Sequence, residues 1–444
     1  MIRKKGGDIL RFFFLKRLST DARRLVGSNT LFIAGLGLSA TFINVYLWRV
    51  DRSLLPLLLF NGFLDVGIPL AFIFCGFLAH RIKEPSLLRI GIIAVSIFFA
   101  VLLLAGKAAA HHAAWLGLLF GLGQGFYWYA FHVASFDCTR SDSRTDFHAV
   151  SGFFTSLVGM LTPFAAGLII ANSAKLTGYS LVFGCTFTLF VILFVQSFRL
   201  KHGPRRRTEF AEGFCFARDP DWRRVWFATV SFGLREGVYA FVIPILVFFS
   251  SKTEAGVGDY GLWTGIVALL SYGWIGRMKR HDFLKRFMIV PSIALGGFAC
   301  VLLLGVKPII LTIFGASTAL LFPFVMIPLT AVTQDEIDES ERSSVRRAEY
   351  FISREVALGI GRVSGVLLLW VTLSIVPGVR GVLFISSILG FAYVVSSVFI
   401  AKVTYTDRRG IRSGSSQNAR TPHTADAGAF VSMNRKDKRL RPMR

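Results

Sequence analysis

LLPLLLFNGFLDVGIPLAFIFCGFLA, residues 54–79, is an apolar run with one charge, Asp65, near its middle. At about 1.5 Å per helical residue it outspans the roughly 30 Å hydrocarbon core of a bilayer, so it reads as a membrane-crossing helix. Outward from it, eleven further apolar stretches fall at 29–49, 87–106, 112–136, 150–171, 177–198, 225–250, 259–276, 285–305, 307–331, 352–375 and 380–402. Only Lys307 and Pro308 separate the span 285–305 from its successor. Backbone groups in lipid must be satisfied within the segment, which helices do. The sequence therefore predicts an all-α membrane protein with twelve transmembrane helices.

The cations alternate between the two sides of these spans. One side carries eight Lys and Arg between Arg3 and Arg24, then Arg81, Lys83 and Arg89, then Arg140 and Arg144, the run 199–224, the cluster 277–286, Arg342 to Arg354 and the basic tail. The other holds Arg49, Arg52, Lys107, Lys175, Lys252, Lys307 and Arg380. The positive-inside rule then puts both termini on the cytoplasmic side of the membrane. With this topology the net charge of +24 faces anionic lipid headgroups, each cation contributing about 1 kcal/mol of attraction. That accounts for the basicity without a nucleic-acid partner. The five cysteines (Cys75, Cys138, Cys185, Cys215, Cys300) are scattered without a CxxC pair, so neither a disulfide nor a metal site is expected, and no cofactor is. A cleavable signal is not read either, because the apolar run Phe12 to Leu15 is short and is followed by Lys16 and Arg17. Residues 8–25 suit a helix lying on the membrane surface.

The segment 199–223, with RLKHGPRRRTEF and ARDPDWRR, divides the spans six and six. The expected organisation is a basic N-terminal segment 1–28, a six-helix bundle 29–198, a linker 199–223, a second six-helix bundle 224–403 and a disordered basic tail 404–444. An internal repeat supports it: SRTDFHAVSGFF at 143–154 aligns with RRAEYFISREVA at 346–357, pairing Arg144 with Arg347, Asp146 with Glu349 and Phe147 with Tyr350.

Two parallel six-helix repeats joined by a cytoplasmic loop resemble the major facilitator superfamily over about residues 25–403. GFLAHRIKEPSLLRIG, 76–91, resembles that superfamily's G-x-L-A-D-R-x-G-R-[KR] loop, with His80 in place of Asp and Lys83 in place of the second Gly. GMLTPFAAG, 159–167, resembles the G-x-x-x-G-P-x-x-G-G bend of proton antiporters, with Thr162 before Pro163 where Gly is usual. FINVYLWR at 42–49, GQGFYWYAFHVASFD at 123–137, LREGVYAFVIPILVF at 234–248 and RRAEYFISREVALGIGRVSG at 346–365 are similar to a poorly characterised bacterial subgroup of the superfamily. The resemblance implies that spans one, four, seven and ten line a cavity and that spans two and eleven meet between the halves.

A charge at the centre of a spanning helix costs about 2.5–3.5 kcal/mol on insertion scales, so each is a functional candidate. Asp65, Arg235, Glu236 and Arg362 stand near mid-depth and sum to zero. Glu236 and Arg362 are candidates for a static internal pair, leaving Arg235 to the cavity or to Asp65. Asp65 is read either as a switch partner of Arg362 or as a proton site. Gln124, Trp128 and His132 share one helical face with Tyr127 beside it, a stripe suited either to stacking on a solute or to anchoring at the interface, and His132 either relays protons or caps a helix end; Asn44 and Asn61 are further polar candidates. At the basic ends, Asp137, Arg140, Arg144 and Asp146 mirror Asp335, Glu336, Arg347 and Glu349, a set that would gate the inward face.

These readings converge on a monomeric secondary active transporter of a small organic or amphipathic solute, working by alternating access and coupled to protons through Asp65, Glu236 or His132. A transporter-like sensor or scaffold is the alternative, against which neither 199–223 nor 404–444 is apolar enough to fold as a domain. An enzyme is not expected: the one close histidine pair, His111 and His112, has no carboxylate nearby. No GxxxxGK[ST] loop binds a nucleotide.

Overall fold

The computed structural model describes residues 18–139, 144–174, 176–200, 214, 219–275, 287–339 and 347–403, without the side chains at 144, 145, 338, 339 and 347. The expectations for residues 1–17, most of the linker, the cluster 277–286 and the tail 404–444 lie outside the described residues. Twelve helical segments follow in order: α1 Thr20–Asp51, α2 Leu55–Leu78, α3 Glu84–Ala105 with a 3₁₀ turn Gly106–Ala110, α4 Ala113–Asp137, α5 Arg144–Ala171 and α6 Thr177–Ser197. Then come α7 Pro220–Ser251, α8 Glu254–Ile275, α9 Ile289–Cys300 with a 3₁₀ turn Val301–Leu304, α10 in two pieces, Pro308–Leu321 and Pro323–Glu339, α11 Arg347–Ile375, and α12 in two pieces, Val379–Leu389 and Ala392–Ala401. The protein is thus all-α and multi-pass. Among the described residues nine of these segments are long and apolar enough to cross a membrane. The remaining three are α4, diluted by Gln124, Tyr127, Tyr129 and His132, α8, diluted by Glu254, Asp259 and Tyr260, and the short α9.

Several helices start earlier than hydropathy places them, because capping and aromatic burial continue past the apolar run. Residues 20–25, read from sequence as part of a surface-lying helix, are the first turns of α1; Ser19 caps it, accepting from Ala22 N at 3.1 Å, and Ala22 and Leu25 are buried. α7 begins at Pro220 with Asp219 accepting from Trp222 N at 2.8 Å, and Trp222 is buried edge-on to Tyr350 with centroids 4.6 Å apart. Such an N-cap followed by Pro at the first helical position is a strong start signal. Between α9 and α10 the chain turns at Gly305, φ 108°, a conformation that favours glycine, and Pro308 opens the next helix.

Small residues let the helices meet backbone to backbone, as expected where lipid supplies little hydrophobic drive for association. A Cβ on Gly117, Gly121 or Gly125 of α4 would lie 2.1, 2.3 and 2.5 Å from the carbonyl oxygens of Phe60, Leu64 and Ile68 of α2. α7 and α11 mesh likewise, where a Cβ on Gly361 or Gly365 would lie 2.1 and 2.2 Å from the oxygens of Val230 and Leu234. Helices α1–α6 pack largely among themselves, as do α7–α12, and the two groups touch chiefly along α2 with α11 and α5 with α8. Within the antiporter-like run on α5, a Cβ on Gly167 would sit 2.7 Å from Glu254 O of α8.

The helices alternate in direction. At what we call the near end, Ser19 of α1 donates to Cys138 O after α4, Arg89 of α3 donates to Ser197 of α6, and Arg224 of α7 donates to Lys402 O after α12. The far end holds the end of α1, the start of α6 and the start of α8, joined by Arg49, Tyr179 and Glu254.

Candidate functional site

A cavity of about 560 Å³ opens between the two groups. Its walls come from Thr41 of α1, Ser156, Met160 and Pro163 of α5, Arg235, Glu236 and Tyr239 of α7, Tyr260 and Tyr272 of α8, and Phe314 and Phe322 of α10. This differs from the expected lining by spans one, four, seven and ten: α5 and α8 contribute and α4 does not. The reason is the glycine face of α4, which is sealed against α2, while its aromatic face is covered by neighbours. Trp128 packs edge-on to Phe32 of α1 at 5.5 Å, and His132 stacks on Phe351 of α11 at 5.3 Å with ring planes 5° apart. Gln124, Trp128 and His132 are therefore not at the cavity; His132 instead joins the two groups near the near end, where Phe136 also meets Phe351 at 5.6 Å. Asn61 donates to Asn44 Oδ1 at 2.6 Å and to Leu57 O at 2.8 Å, which ties α2 to α1.

The cavity's charged wall is the pair Arg235 and Glu236. Arg235 is 2% exposed, and its guanidinium carbon lies 4.0 Å from the ring centroid of Tyr239 and 4.5 Å from that of Tyr393 on α12. Its Nη1 donates to Tyr393 OH at 2.8 Å, and Tyr393 in turn donates to Glu236 Oε1. Arg235 Nη1 and Glu236 Oε1 are 3.6 Å apart. Although neighbours in sequence lie about 100° apart on a helix, these two share a partner, because one tyrosine hydroxyl both accepts and donates.

Asp65 and Arg362 meet at the seam of α2 and α11, away from the cavity walls, with Nε 3.9 Å from Oδ1; Arg362 Nη1 is also 3.6 Å from Glu355 Oε1. The expected Glu236–Arg362 pair is not formed. At that height α7 and α11 are in backbone contact, a Cβ on Gly237 falling 2.5 Å from Arg362 O, and the Arg362 side chain reaches sideways to α2 instead.

At the far end Glu254 Oε1 accepts from Arg49 Nε at 2.7 Å and from Tyr179 OH at 2.6 Å, and Arg49 Nη2 stands 2.6 Å from the same oxygen as an ion pair. This joins α1 and α6 to α8. Sequence reasoning counted Arg49 only as a loop cation and passed over Glu254; the signal was an acid in the first turn of α8 beside the Arg that ends FINVYLWR. Of the near-end set, Asp137 and Asp335 are exposed, Asp146 is half-buried and Glu349 is buried. Arg140 and the side chains of Arg144 and Arg347 lie outside the described residues. Phe147 and Tyr350, aligned by the repeat, are both buried at the starts of α5 and α11.

The architecture is similar to that of several solved transporters. The nucleoside transporter NupG aligns with a TM-score of 0.66 at 11% identity, over 87% of this chain and 100% of NupG. A variant of the E. coli fucose:proton symporter FucP gives 0.60 at 12%, over 87% and 98% of the chains, and the human organic anion transporter MFSD10 gives 0.63 at 13%, over 85% and 99%. At such identities the likeness is one of fold, and the fold is that of the major facilitator superfamily. No family model matches the chain. An uncharacterized protein of Bacillus subtilis, YqgE, is 30% identical over 387 residues, covering 86% of this chain and 89% of YqgE. The chain belongs to the same family as YqgE. An uncharacterized Geobacillus stearothermophilus protein is 37% identical over 168 residues, 38% of this chain and 78% of that protein.

Proposed function

We propose that the chain is a secondary active transporter in which two six-helix transmembrane bundles, 29–198 and 224–403, rock about the central cavity so that it opens to one side at a time. The observation that carries this reading is the cavity itself: its 560 Å³ fall within the roughly 300–1,000 Å³ of small-molecule sites. It lies between the two groups of helices and has the Arg235–Glu236 ion pair on its wall near mid-depth, where the substrate sites of such folds lie, at the interface of the repeats. The structural neighbours, a fucose:proton symporter and nucleoside and organic anion transporters, support a small organic solute.

In this reading the near end is cytoplasmic, together with residues 1–28, the linker 199–223 and the tail 404–444, in a bacterial plasma membrane. The far-end cluster of Arg49, Glu254 and Tyr179 is the outer gate. The inner gate comprises Phe351 with His132 and Phe136, and the charged set Asp137, Arg140, Arg144, Asp146, Asp335, Arg347 and Glu349. The protein works as a monomer and is coupled to protons. Glu236 is the carboxylate at the cavity; Asp65, paired with Arg362 on the seam, links the movement of the halves.

The test is flux. The purified chain in proteoliposomes, offered a pool of small metabolites with and without an imposed pH gradient, should accumulate at least one solute above its equilibrium level only when the gradient is present. Folded protein that moves nothing in either condition would leave the sensor or scaffold reading in its place.

A further inference from the structure

We propose that the cavity takes an organic monoanion, a carboxylate on an aromatic or otherwise apolar body, held at Arg235 and accompanied by a proton on Glu236. The inference rests on the transporter reading for its purpose but on the geometry of one side chain for its content. Arg235 is buried, yet its Nε and Nη2 have no hydrogen-bond acceptor among the described residues. A guanidinium has five N–H donors, and only Nη1 has a partner here, Tyr393 OH. Two aromatic rings have their centroids 4.0 and 4.5 Å from its Cζ, and the buried fork of Nε and Nη2 is left for a bidentate acceptor such as a carboxylate, which reaches it once the side chains covering it part.

Charge balance selects the rest of the ligand. The resting site is neutral, Arg235 against Glu236, and of the side chains lining the cavity no others are charged. A monoanion binding at Arg235, with a proton taken up by a Glu236 carboxylate oxygen, leaves it neutral again. A phosphate dianion would leave a net negative charge in a low-dielectric interior, and a cation would face Arg235. The groups electrostatically coupled to Glu236 are Arg235 and Tyr239 on α7, Tyr272 on α8, Tyr393 on α12 and, across the seam, Asp65 on α2; α10 faces the cavity with Phe314, Thr318 and Phe322 and no charge. The opposite walls, Tyr260, Tyr272, Phe314 and Phe322, suit a ring-bearing body.

The probe is 2-naphthoate, compared with its neutral and cationic isosteres 2-naphthamide and 2-naphthylmethylamine. Each is titrated against the full chain in nanodiscs, with apparent Kd read from thermal stabilisation. Naphthoate should bind about ten- to a hundredfold more tightly than the amide, the range expected for hydrogen bonds to a charged group, and more tightly at acidic than at alkaline pH. Arg235→Gln should abolish that preference. Glu236→Gln, which keeps an acceptor for Tyr393 but removes the negative charge, should tighten naphthoate and flatten its pH dependence, and it tests the assignment even if Arg235→Gln fails to fold. Equal affinity for anion and amide, preference for the amine, no saturable binding of any of the three, or unchanged naphthoate binding in Glu236→Gln would overturn the assignment. Naphthoate binding without flux of any solute would overturn the transporter reading and leave the anion site standing, whereas gradient-driven flux of a neutral solute would do the reverse.

Discussion

Replacing Glu254 with Ala should open the far end of the molecule. One carboxylate oxygen of Glu254 receives two hydrogen bonds, from Arg49 Nε at 2.7 Å and from Tyr179 OH at 2.6 Å, with Arg49 Nη2 2.6 Å away as an ion pair, and these contacts join α8 to α1 and α6. The Glu254 side chain is 8% exposed and that of Arg49 32%, so the pair lies between a surface bridge at about 0–1 kcal/mol and a buried one at about 3–5 kcal/mol. Hydrogen bonds to charged groups contribute about 1.5–3 kcal/mol, which we take as the loss. That shifts the closed-to-open ratio at this end by about 10- to 150-fold. The assay is labelling of Thr41→Cys, on the cavity wall, by an impermeant thiol reagent from the Glu254 side, with the native cysteines replaced. The rate should rise by that factor in Glu254→Ala. Tyr179→Phe removes one donor and leaves the ion pair, so a loss of about 1 kcal/mol should raise the rate only about fivefold. Unchanged labelling in Glu254→Ala, or a larger effect from Tyr179→Phe, would refute the latch.

Gly121→Ala places a methyl 2.3 Å from Leu64 O and should destabilise the protein by about 1–3 kcal/mol through overpacking, whereas Gly297→Ala, with nothing within 4 Å, should leave it unchanged or raise it by up to about 1 kcal/mol; thermal unfolding in detergent reads both. Asp65→Asn removes the charge facing Arg362 but leaves Arg362 near Glu355, so it should fold and bind solute yet lose gradient-driven accumulation; wild-type accumulation would make Asp65 a structural group. Ser413→Cys, in the basic tail, should react with an impermeant reagent in inverted vesicles and not in intact cells, and the opposite pattern would reverse the orientation.

Apolar length made the helices legible, since bilayer thickness fixes how many residues each needs; the expected 54–79 is observed as Leu55–Leu78. The helix starts were less so. α7 begins five residues ahead of the expected 225, at Pro220, although Asp219 and Pro220 carry the cap signal in plain sight. Pairings between helices were partly legible. Depth along a helix can be counted, so Asp65, Arg235, Glu236 and Arg362 all stood out, but depth says nothing about azimuth. The sequence offered both Asp65 and Glu236 as partners for Arg362; the glycine contact of α7 with α11 turns Arg362 to α2. Tyr393, which bridges Arg235 and Glu236, was invisible because a lone tyrosine in an apolar span reads as packing. The stripe of Gln124, Trp128 and His132 was correctly seen as one face, but a helical wheel does not show that the face would be covered by Phe32 and Phe351.

The central claim, that two bundles rock about the cavity, is tested most directly by two distances measured in one preparation by spin–spin dipolar spectroscopy. One spans the far end, with labels at Asp51→Cys and Thr253→Cys, and the other spans the near end, with labels at Ala149→Cys and Gln334→Cys; all four positions are exposed. Introducing Glu254→Ala should lengthen the far-end distance and shorten the near-end one. Distances that stay fixed, or that move in the same sense, would contradict the account.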